Sequence, residues 1–240
     1  MAATSTEVCV LIPAFQAAQT IQPLLEQTQQ YADRILVVDD GSSDDTARLA
    51  ETAGAKVLRH SVNRGKGAAL KTGIAYFQEH PCEFLVTMDA DGQHAPAAIP
   101  RFLRAYERTH IPVLLGNRMA DRGQMPWLRR RTNQLMSWLI SRATGQYIPD
   151  SQCGYRLFHR SSLLYLCSES AGFAAESEFL LHLADRGIRI GSVRVPTIYD
   201  RKQRSCIRPI RDTFQFFRML RRFYRYRRRR NNGALDYPEG

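Results

Sequence analysis

The sequence predicts an α/β fold: a mostly parallel sheet flanked by helices and followed by a basic amphipathic C-terminal helix. Three observations carry this. Over the first 117 residues, five short runs rich in Val, Ile and Leu alternate with helical stretches. That alternation is the pattern of a parallel sheet covered on both faces. The 240 residues are 44% hydrophobic, which suits one domain of ordinary size and excludes a disordered chain. The net charge of +11 is gathered near the end: residues 201–230 hold 13 Lys and Arg against one acid, Asp212. The rest of the chain has 21 bases and 22 acids and is close to neutral.

Taken in order, residues 8–13 form the first apolar run, followed by a helical stretch to about residue 30. Residues 34–38, 55–59, 83–88 and 112–116 are the next four runs. Helical stretches at 44–53, 67–78 and 96–108 separate them, and the crossovers should be right-handed. Beyond residue 117 the pattern loosens. Residues 127–143 read as a helix with Leu128, Leu135, Trp138 and Leu139 as its apolar positions. Residues 173–186 read as another, stopped by Gly187. Residues 189–199 look like a strand cut by Pro196, and 212–228 read as the last helix. In that helix Phe216, Phe217, Leu220, Phe223 and Tyr224 form a stripe, with Arg218, Arg221, Arg222, Arg225, Arg228 and Arg229 largely off it. The expected organisation is a domain over 1–210, the basic helix over 211–230 and a flexible tail over 231–240.

No window approaches 18 unbroken apolar residues, so no span of a bilayer is expected. A secretory signal is not expected either, since the start has no basic region before its short apolar run. Cys9, Cys82, Cys153, Cys167 and Cys206 are odd in number and form no Cys-x-x-Cys pair, which reads as reduced thiols in a cytoplasmic protein.

Ligands of open parallel sheets bind beyond the carboxyl ends of the strands. Four polar clusters fall there: Pro13-Ala14-Phe15, Asp39-Asp40-Gly41-Ser42-Ser43, Asp89-Ala90-Asp91-Gly92-Gln93-His94 and Gly116-Asn117-Arg118. The third is the sharpest. Carboxylates at i and i+2 just past a strand point the same way if the backbone is still extended. Such a pair is costly unless a cation lies between, and Mg²⁺ commonly takes one or two carboxylates plus substrate phosphates. A solvated turn capped by its own aspartates is the plainer alternative. The position at the end of the fourth strand, with Asp39-Asp40 at the second, favours the metal. Asn63-Arg64-Gly65-Lys66-Gly67 opens a helix whose N–H groups and lysine suit an anion, although Gly-Lys-Gly is also an ordinary helix entry. Neither a Walker loop nor a dinucleotide fingerprint is present.

Together, Leu11-Ile12-Pro13-Ala14-Phe15, Val37-Val38-Asp39-Asp40-Gly41-Ser42, Asn63-Arg64-Gly65-Lys66-Gly67 and Met88-Asp89-Ala90-Asp91-Gly92-Gln93-His94 resemble family 2 glycosyltransferases. Gly116-Asn117-Arg118, Asp150-Ser151-Gln152-Cys153-Gly154-Tyr155-Arg156, Glu176-Ser177-Glu178 and Arg204-Ser205-Cys206-Ile207-Arg208-Pro209 extend the resemblance. It is greatest to dolichyl- and polyprenyl-phosphate mannosyl- and glucosyltransferases and covers roughly residues 7–220. The resemblance implies a Rossmann-like GT-A fold, a GDP- or UDP-hexose donor, Mg²⁺ or Mn²⁺, and inversion at the anomeric carbon. It implies that Pro13, Ala14 and Asp40 hold base and ribose, with Asp39 as a partner of its own turn or a further contact. Gly65, Lys66 and Ala90 are expected at the donor, Asp89 at the ribose or the metal's water, and Asp91 with Gln93 at the metal.

The acceptor decides the other roles. A sugar or lipid hydroxyl needs a general base, and Asp150 would serve. A lipid monophosphate is already largely ionised, with a second pKa of about 6, and needs cations instead. Arg118, Arg129, Arg130, Arg156, Arg204 and Ser205 are the candidates, with Arg118, Arg204, Asp91 and Asp150 expected nearest the chemistry. Which of Arg129, Arg130 and Arg131 faces inward stays open, as does whether Asp150 pairs with Arg156. Of Glu176 and Glu178, only one can face the site if the stretch is helical. The terminal helix is expected to lay its rings in the headgroups and its arginines on anionic lipid, on the cytoplasmic face of a membrane; a helix packed on the core with a solvated basic end is the plainer alternative, and the stripe can serve both. A nucleic-acid module using the basic tail is the alternative from another class. It is disfavoured by the neutral body and its strand-end carboxylates, and no nucleic-acid partner is expected.

Overall fold

The computed structural model describes residues 7–119, 125–168, 170, 172, 174–196 and 209–231. The elements run β1 Val8–Ala14, α1 Ile21–Thr28, β2 Arg34–Asp39, α2 Thr46–Thr52, β3 Lys56–Arg59, α3 Lys66–Glu79, β4 Phe84–Thr87, α4 Ile99–Thr109 and β5 Val113–Asn117. A 3₁₀ turn, Pro96–Ala98, leads into α4. The second half follows as α5 Trp127–Thr144, β6 Arg156–His159, α6 Arg160–Leu163, α7 Ala174–Asp185, β7 Ile190–Arg194 and α8 Pro209–Asn231. All five runs expected as strands are strands, displaced at their ends by a residue or so.

The seven strands form one sheet in the order β3-β2-β1-β4-β6-β5-β7. Strand β6 was not foreseen, and it departs from the parallel rule. It pairs antiparallel with β4 on one side and β5 on the other. Two antiparallel pairings in succession leave β4 and β5 running the same way, so their carboxyl ends share an edge. The reversed β6 brings its amino end, and with it residues 150–155, to that same edge.

Alternation along the strands divides the core in two. On β1, Cys9 and Leu11 face a layer with α3, α5, α7 and α8. Val8, Val10, Ile12 and Ala14 face the opposite layer with α1, α2 and α4. Both sets are almost wholly buried, which is why these strands are continuous apolar runs rather than alternating ones. Cys9, Cys82 and Cys153 are buried free thiols, and burial pushes Cys153 up to about 12. Cys206 lies outside the described residues.

Helix α8 is stitched into this core by Phe216, Met219, Leu220 and Phe223, all at most 6% exposed. Phe216, Leu220 and Phe223 of the stripe expected at the headgroups are thus turned into the core, while Phe217 and Tyr224 face outward, as does Phe214. Helix α5 corrects the sequence reading more sharply. Leu128, Leu135 and Trp138, apolar positions of that helix, are more than half exposed, and Leu139 is only partly buried. The buried positions are Asn133, Ser137, Ile140 and Ala143. No described helix is long and apolar enough to cross a membrane.

Among the described glycines, Gly73 of α3 has the least room for a side chain: a Cβ would come within 2.1 Å of a Leu11 methyl. Leu11 is wholly buried in β1 and has no room to turn aside. Gly73→Ala is therefore expected to destabilise the fold by about 1–3 kcal/mol through overpacking, despite the better helix propensity of alanine. Urea unfolding checks this, and an unchanged midpoint would mean that α3 and β1 are less closely packed.

Candidate functional site at the carboxyl edge of the sheet

The edge is built from the ends of β1, β2, β4 and β5, the entry to α3, the loop before β6 and the start of α7. The β1 and β2 ends are locked together. The Asp40 amide donates to Ala14 O at 2.8 Å. Ser42 Oγ accepts from Gln16 N, and Thr46 Oγ1 from Ala17 N. Pro13 and Ala14 are buried there, while Phe15 is exposed.

Asp39 and Asp40 divide their work. Asp39 accepts from Ser42 N at 3.1 Å and pairs with Arg59 at 3.0 Å, so it belongs to its own turn. Asp40 accepts from Arg64 N at 3.0 Å and Gly65 N at 2.6 Å, and pairs with His60 Nδ1 at 2.6 Å. Its carboxylate thus fixes the glycine loop ahead of α3. Gly65 has φ +93°, a conformation that costs glycine little and other residues much. That bend starts α3 with Lys66 facing inward.

Lys66 Nζ lies 2.5 Å from Asp89 Oδ1 and 2.8 Å from Glu176 Oε2. Burial works against all three charges, but each offsets its neighbour's cost. Asp89 is held below the ordinary carboxylate range against its burial by Lys66, with Arg118 adding to the effect. The Lys66 ammonium is likewise held above its usual value by Asp89 and Glu176. Glycine at 154 makes room for the pair. A Cβ there would lie 2.8 Å and 2.9 Å from the Asp89 oxygens and 2.9 Å from Lys66 Nζ.

Past Asp89, Thr20 Oγ1 donates to Ala90 O at 2.6 Å, and Gln93 N donates to Asp91 Oδ1 at 2.9 Å. His94 is buried and stacked on Tyr155, and burial lowers its pKa. Its Nδ1 accepts from Asp89 N at 3.2 Å, consistent with a neutral ring. Asp91 makes no ion pair among the described residues. Asp89, Asp91 and Gln93 are an all-oxygen set at one turn, which fits a hard divalent ion. The described residues hold no group of three or more His, Cys, Asp or Glu able to enclose a metal alone. Such an ion would draw its remaining ligands from water and substrate phosphate.

Arg118, just past β5, is buried. Its Nε and Nη2 donate to Asp150 at 2.8 and 3.0 Å, and its backbone N donates to the same carboxylate. Asp150 therefore pairs with Arg118 and not with Arg156. Arg156 is placed unlike an acceptor contact. It is 1% exposed and donates to the carbonyls of Cys153, Ser151 and Glu176. It begins a strand, and its guanidinium organises the loop before β6 from within. Among the three consecutive arginines, Arg131 points outward while Arg129 and Arg130 are half-buried. Arg130 donates to Met119 O, and Arg129 Nε is buried without a hydrogen-bond partner among the described residues. Arg204 and Ser205 lie outside the described residues.

Two residues of α7 separate by role. Glu176 reaches the site. Glu178 turns away to accept from Ser168, Ser170 N and Arg222 of α8, which hold its carboxyl low against burial. The bridging role of Glu176 was only half visible in sequence, since the i, i+2 spacing shows that one must turn away but not which.

A family model described as glycosyl transferase family 2 matches residues 9–166. Glycosyltransferase AglJ of Haloferax volcanii is 33% identical over 240 residues, covering 98% of this chain and 76% of that one. The UDP-N-acetylglucosamine–dolichyl-phosphate N-acetylglucosaminyltransferase of Methanococcus voltae is 29% identical over 213 residues, covering 79% and 85%. Among solved structures, glucosyl-3-phosphoglycerate synthase of Mycobacterium tuberculosis, bound to Mn²⁺, UDP and glucosyl-3-phosphoglycerate, superposes with a TM-score of 0.70. It is 21% identical, covering 91% of this chain and 80% of that one. This likeness establishes the GT-A fold.

The ion triad has its own test. Lys66→Met leaves Asp89 and Glu176 facing one another and should cost about 1–3 kcal/mol of stability, the penalty of leaving a largely buried polar partner unsatisfied. Adding Glu176→Gln should restore part of that loss in chemical denaturation. Two independent, additive losses would show that no coupling exists.

Proposed function

The chain belongs to glycosyl transferase family 2, and from that premise we propose that it moves a hexose from a nucleotide sugar to a polyprenyl phosphate, inverting the anomeric carbon. The observation that carries the acceptor class is the state of Asp150. It is buried and already accepts three N–H groups from Arg118. A carboxylate so engaged is a poor general base, which favours a nucleophile that brings its own negative charge. Arg118 and the inward Arg129 and Arg130 are the cations to receive it, with Arg204 and Ser205 completing the acceptor set. The dolichyl phosphate named for the Methanococcus voltae relative supports the same class.

In the proposed step an acceptor phosphate oxygen bonds the anomeric carbon as the bond to the diphosphate oxygen breaks on the opposite face. The nucleoside diphosphate leaves with the electron pair, and no proton need be removed from the nucleophile. When held by Asp91, with Asp89 and Gln93 beside it, Mg²⁺ or Mn²⁺ supplies Lewis-acid neutralisation of that leaving group. Lys66 adds a fixed positive charge at the same edge, and fixed charges need not reorganise during reaction. Pro13, Ala14 and Asp40 bound the donor's nucleoside end, and Gly65 and Ala90 present backbone close to it.

The C-terminal helix brings this chemistry to a lipid surface. Its inner stripe is spent on the core, while Phe214, Phe217 and Tyr224 remain exposed beside Arg218, Arg221, Arg225, Arg228 and Arg229. Rings and arginines on one outer surface suit anionic headgroups, and the membrane's cytoplasmic face is the proposed location.

A screen of GDP- and UDP-hexoses for nucleoside diphosphate release, with and without polyprenyl phosphate and Mg²⁺ or Mn²⁺, tests the reading. Release should require both lipid phosphate and metal. Asp91→Ala should lower it at least ~10²-fold, the scale of removing a group that stabilises developing charge, with the thermal midpoint unchanged. Equal turnover by the variant would remove the metal assignment. Transfer to sugar hydroxyls alone would remove the acceptor assignment.

A further inference from the structure

Asp89 has two claims on it. It belongs to the all-oxygen set that suits a divalent ion, yet its Oδ1 lies 2.5 Å from Lys66 Nζ. The same ammonium lies 2.8 Å from Glu176 Oε2, so it has a partner besides Asp89. Asp91, two residues further on, makes no ion pair among the described residues, and its Oδ1 accepts from Gln93 N at 2.9 Å. Lys66 has little freedom to withdraw. It is the first residue of α3, and Asp40 pins the loop before it through Arg64 N and Gly65 N. Gly154 backs the pair so closely that a Cβ there would lie 2.9 Å from Nζ.

We infer that Lys66 competes with the divalent ion for Asp89, so that metal is taken up together with the nucleotide and not ahead of it. An ammonium and a divalent ion repel one another across a shared carboxylate, and the repulsion is strongest where water is scarce. The Lys66 side chain is only 17% exposed, and its charge therefore opposes any metal that Asp91 would hold on its own. A nucleoside diphosphate reverses the balance. Its oxygens supply the ligands that one or two carboxylates leave unfilled on Mg²⁺, and its negative charge offsets both cations. Lys66 then gives up Asp89, keeps Glu176 and gains a phosphate oxygen. Glu176 is what makes the exchange feasible, because it keeps the displaced ammonium paired in a place where burial penalises a lone charge. The exchange is complete on binding, so the lysine charge is fixed by the time the sugar moves. The inference rests on the metal assignment proposed above and adds to it an order of binding.

Mn²⁺ alone is the first probe, with the free ion counted by electron paramagnetic resonance on the full chain. Lys66→Gln keeps a hydrogen-bond donor between Asp89 and Glu176 but removes the charge. It should bind Mn²⁺ alone at least about tenfold more tightly than the wild-type chain, inside the factor of about 5–150 usual for coupled sites. Lys66→Arg keeps the charge and should stay as weak as the wild type. Asp91→Ala added to Lys66→Gln should erase the gain. With UDP or GDP present, and the metal held by free nucleotide subtracted, the wild-type chain should take up Mn²⁺, and Lys66→Gln should lose most of that nucleotide dependence. A Lys66→Gln chain no tighter than wild type for Mn²⁺ alone would overturn the inference. So would an equal gain in Lys66→Arg, or a gain that survives Asp91→Ala. The wild-type chain offers a further test that depends on no variant. In a crystal with Mn²⁺ and UDP or GDP, Lys66 Nζ should have left Asp89 while keeping Glu176, and an intact Lys66–Asp89 pair beside bound metal refutes the exchange. No uptake of Mn²⁺ with either nucleotide overturns the metal assignment and this inference together. Nucleotide-dependent uptake with no gain in Lys66→Gln overturns this inference alone.

Discussion

A lysine ammonium held between two carboxylates joins three parts of the chain at the carboxyl edge of the sheet. Lys66 comes from the start of α3, Asp89 from the end of β4 and Glu176 from the first turn of α7. None of the three charges is tolerable there alone, because burial penalises each. Everything around them serves that arrangement. Asp40 fixes the bend that aims Lys66, Gly154 leaves room for the pair, and Arg156 holds the loop that carries Gly154. The site's charge balance is thus a product of topology: an antiparallel strand slipped between two parallel ones delivers residues 150–155 to the edge where the other clusters end.

This explains which parts were legible in sequence. The first five strands announce themselves because burial on both faces demands unbroken apolar runs such as Cys9–Ile12 and Leu36–Val38. Strand β6 does not, since it is four residues long and begins with Arg156, whose guanidinium reads as an acceptor cation until its three carbonyl partners are seen. The four polar clusters were located correctly because strand ends share an edge by construction. Their internal pairings were not legible. Nothing local says that Asp150 meets Arg118, 32 residues away, or that Glu176 and not Glu178 meets Lys66.

The helices were misread for a related reason. Apolar residues at helical spacing ordinarily mark the buried side of a helix, yet Leu128, Leu135 and Trp138 of α5 are exposed. The body presents Ser151 to that helix, bonding Ser137, so the inner face is small and polar and the rings go out. On α8 the stripe expected at the headgroups divides: Phe216, Leu220 and Phe223 pack into the core, and Phe217 and Tyr224 stay outward. In both helices the excess apolar surface appears beside arginines.

The central claim is that the donor's diphosphate rests against the turn from Asp89 to Gln93, beside Lys66. A crystal of the chain with Mn²⁺ and a nucleoside diphosphate, with data collected at the manganese absorption edge, tests it most directly. The account predicts an anomalous peak within coordination distance of the Asp91 carboxylate and of diphosphate oxygens. A diphosphate bound elsewhere, or Asp91 open to solvent with the manganese at another site, would contradict it.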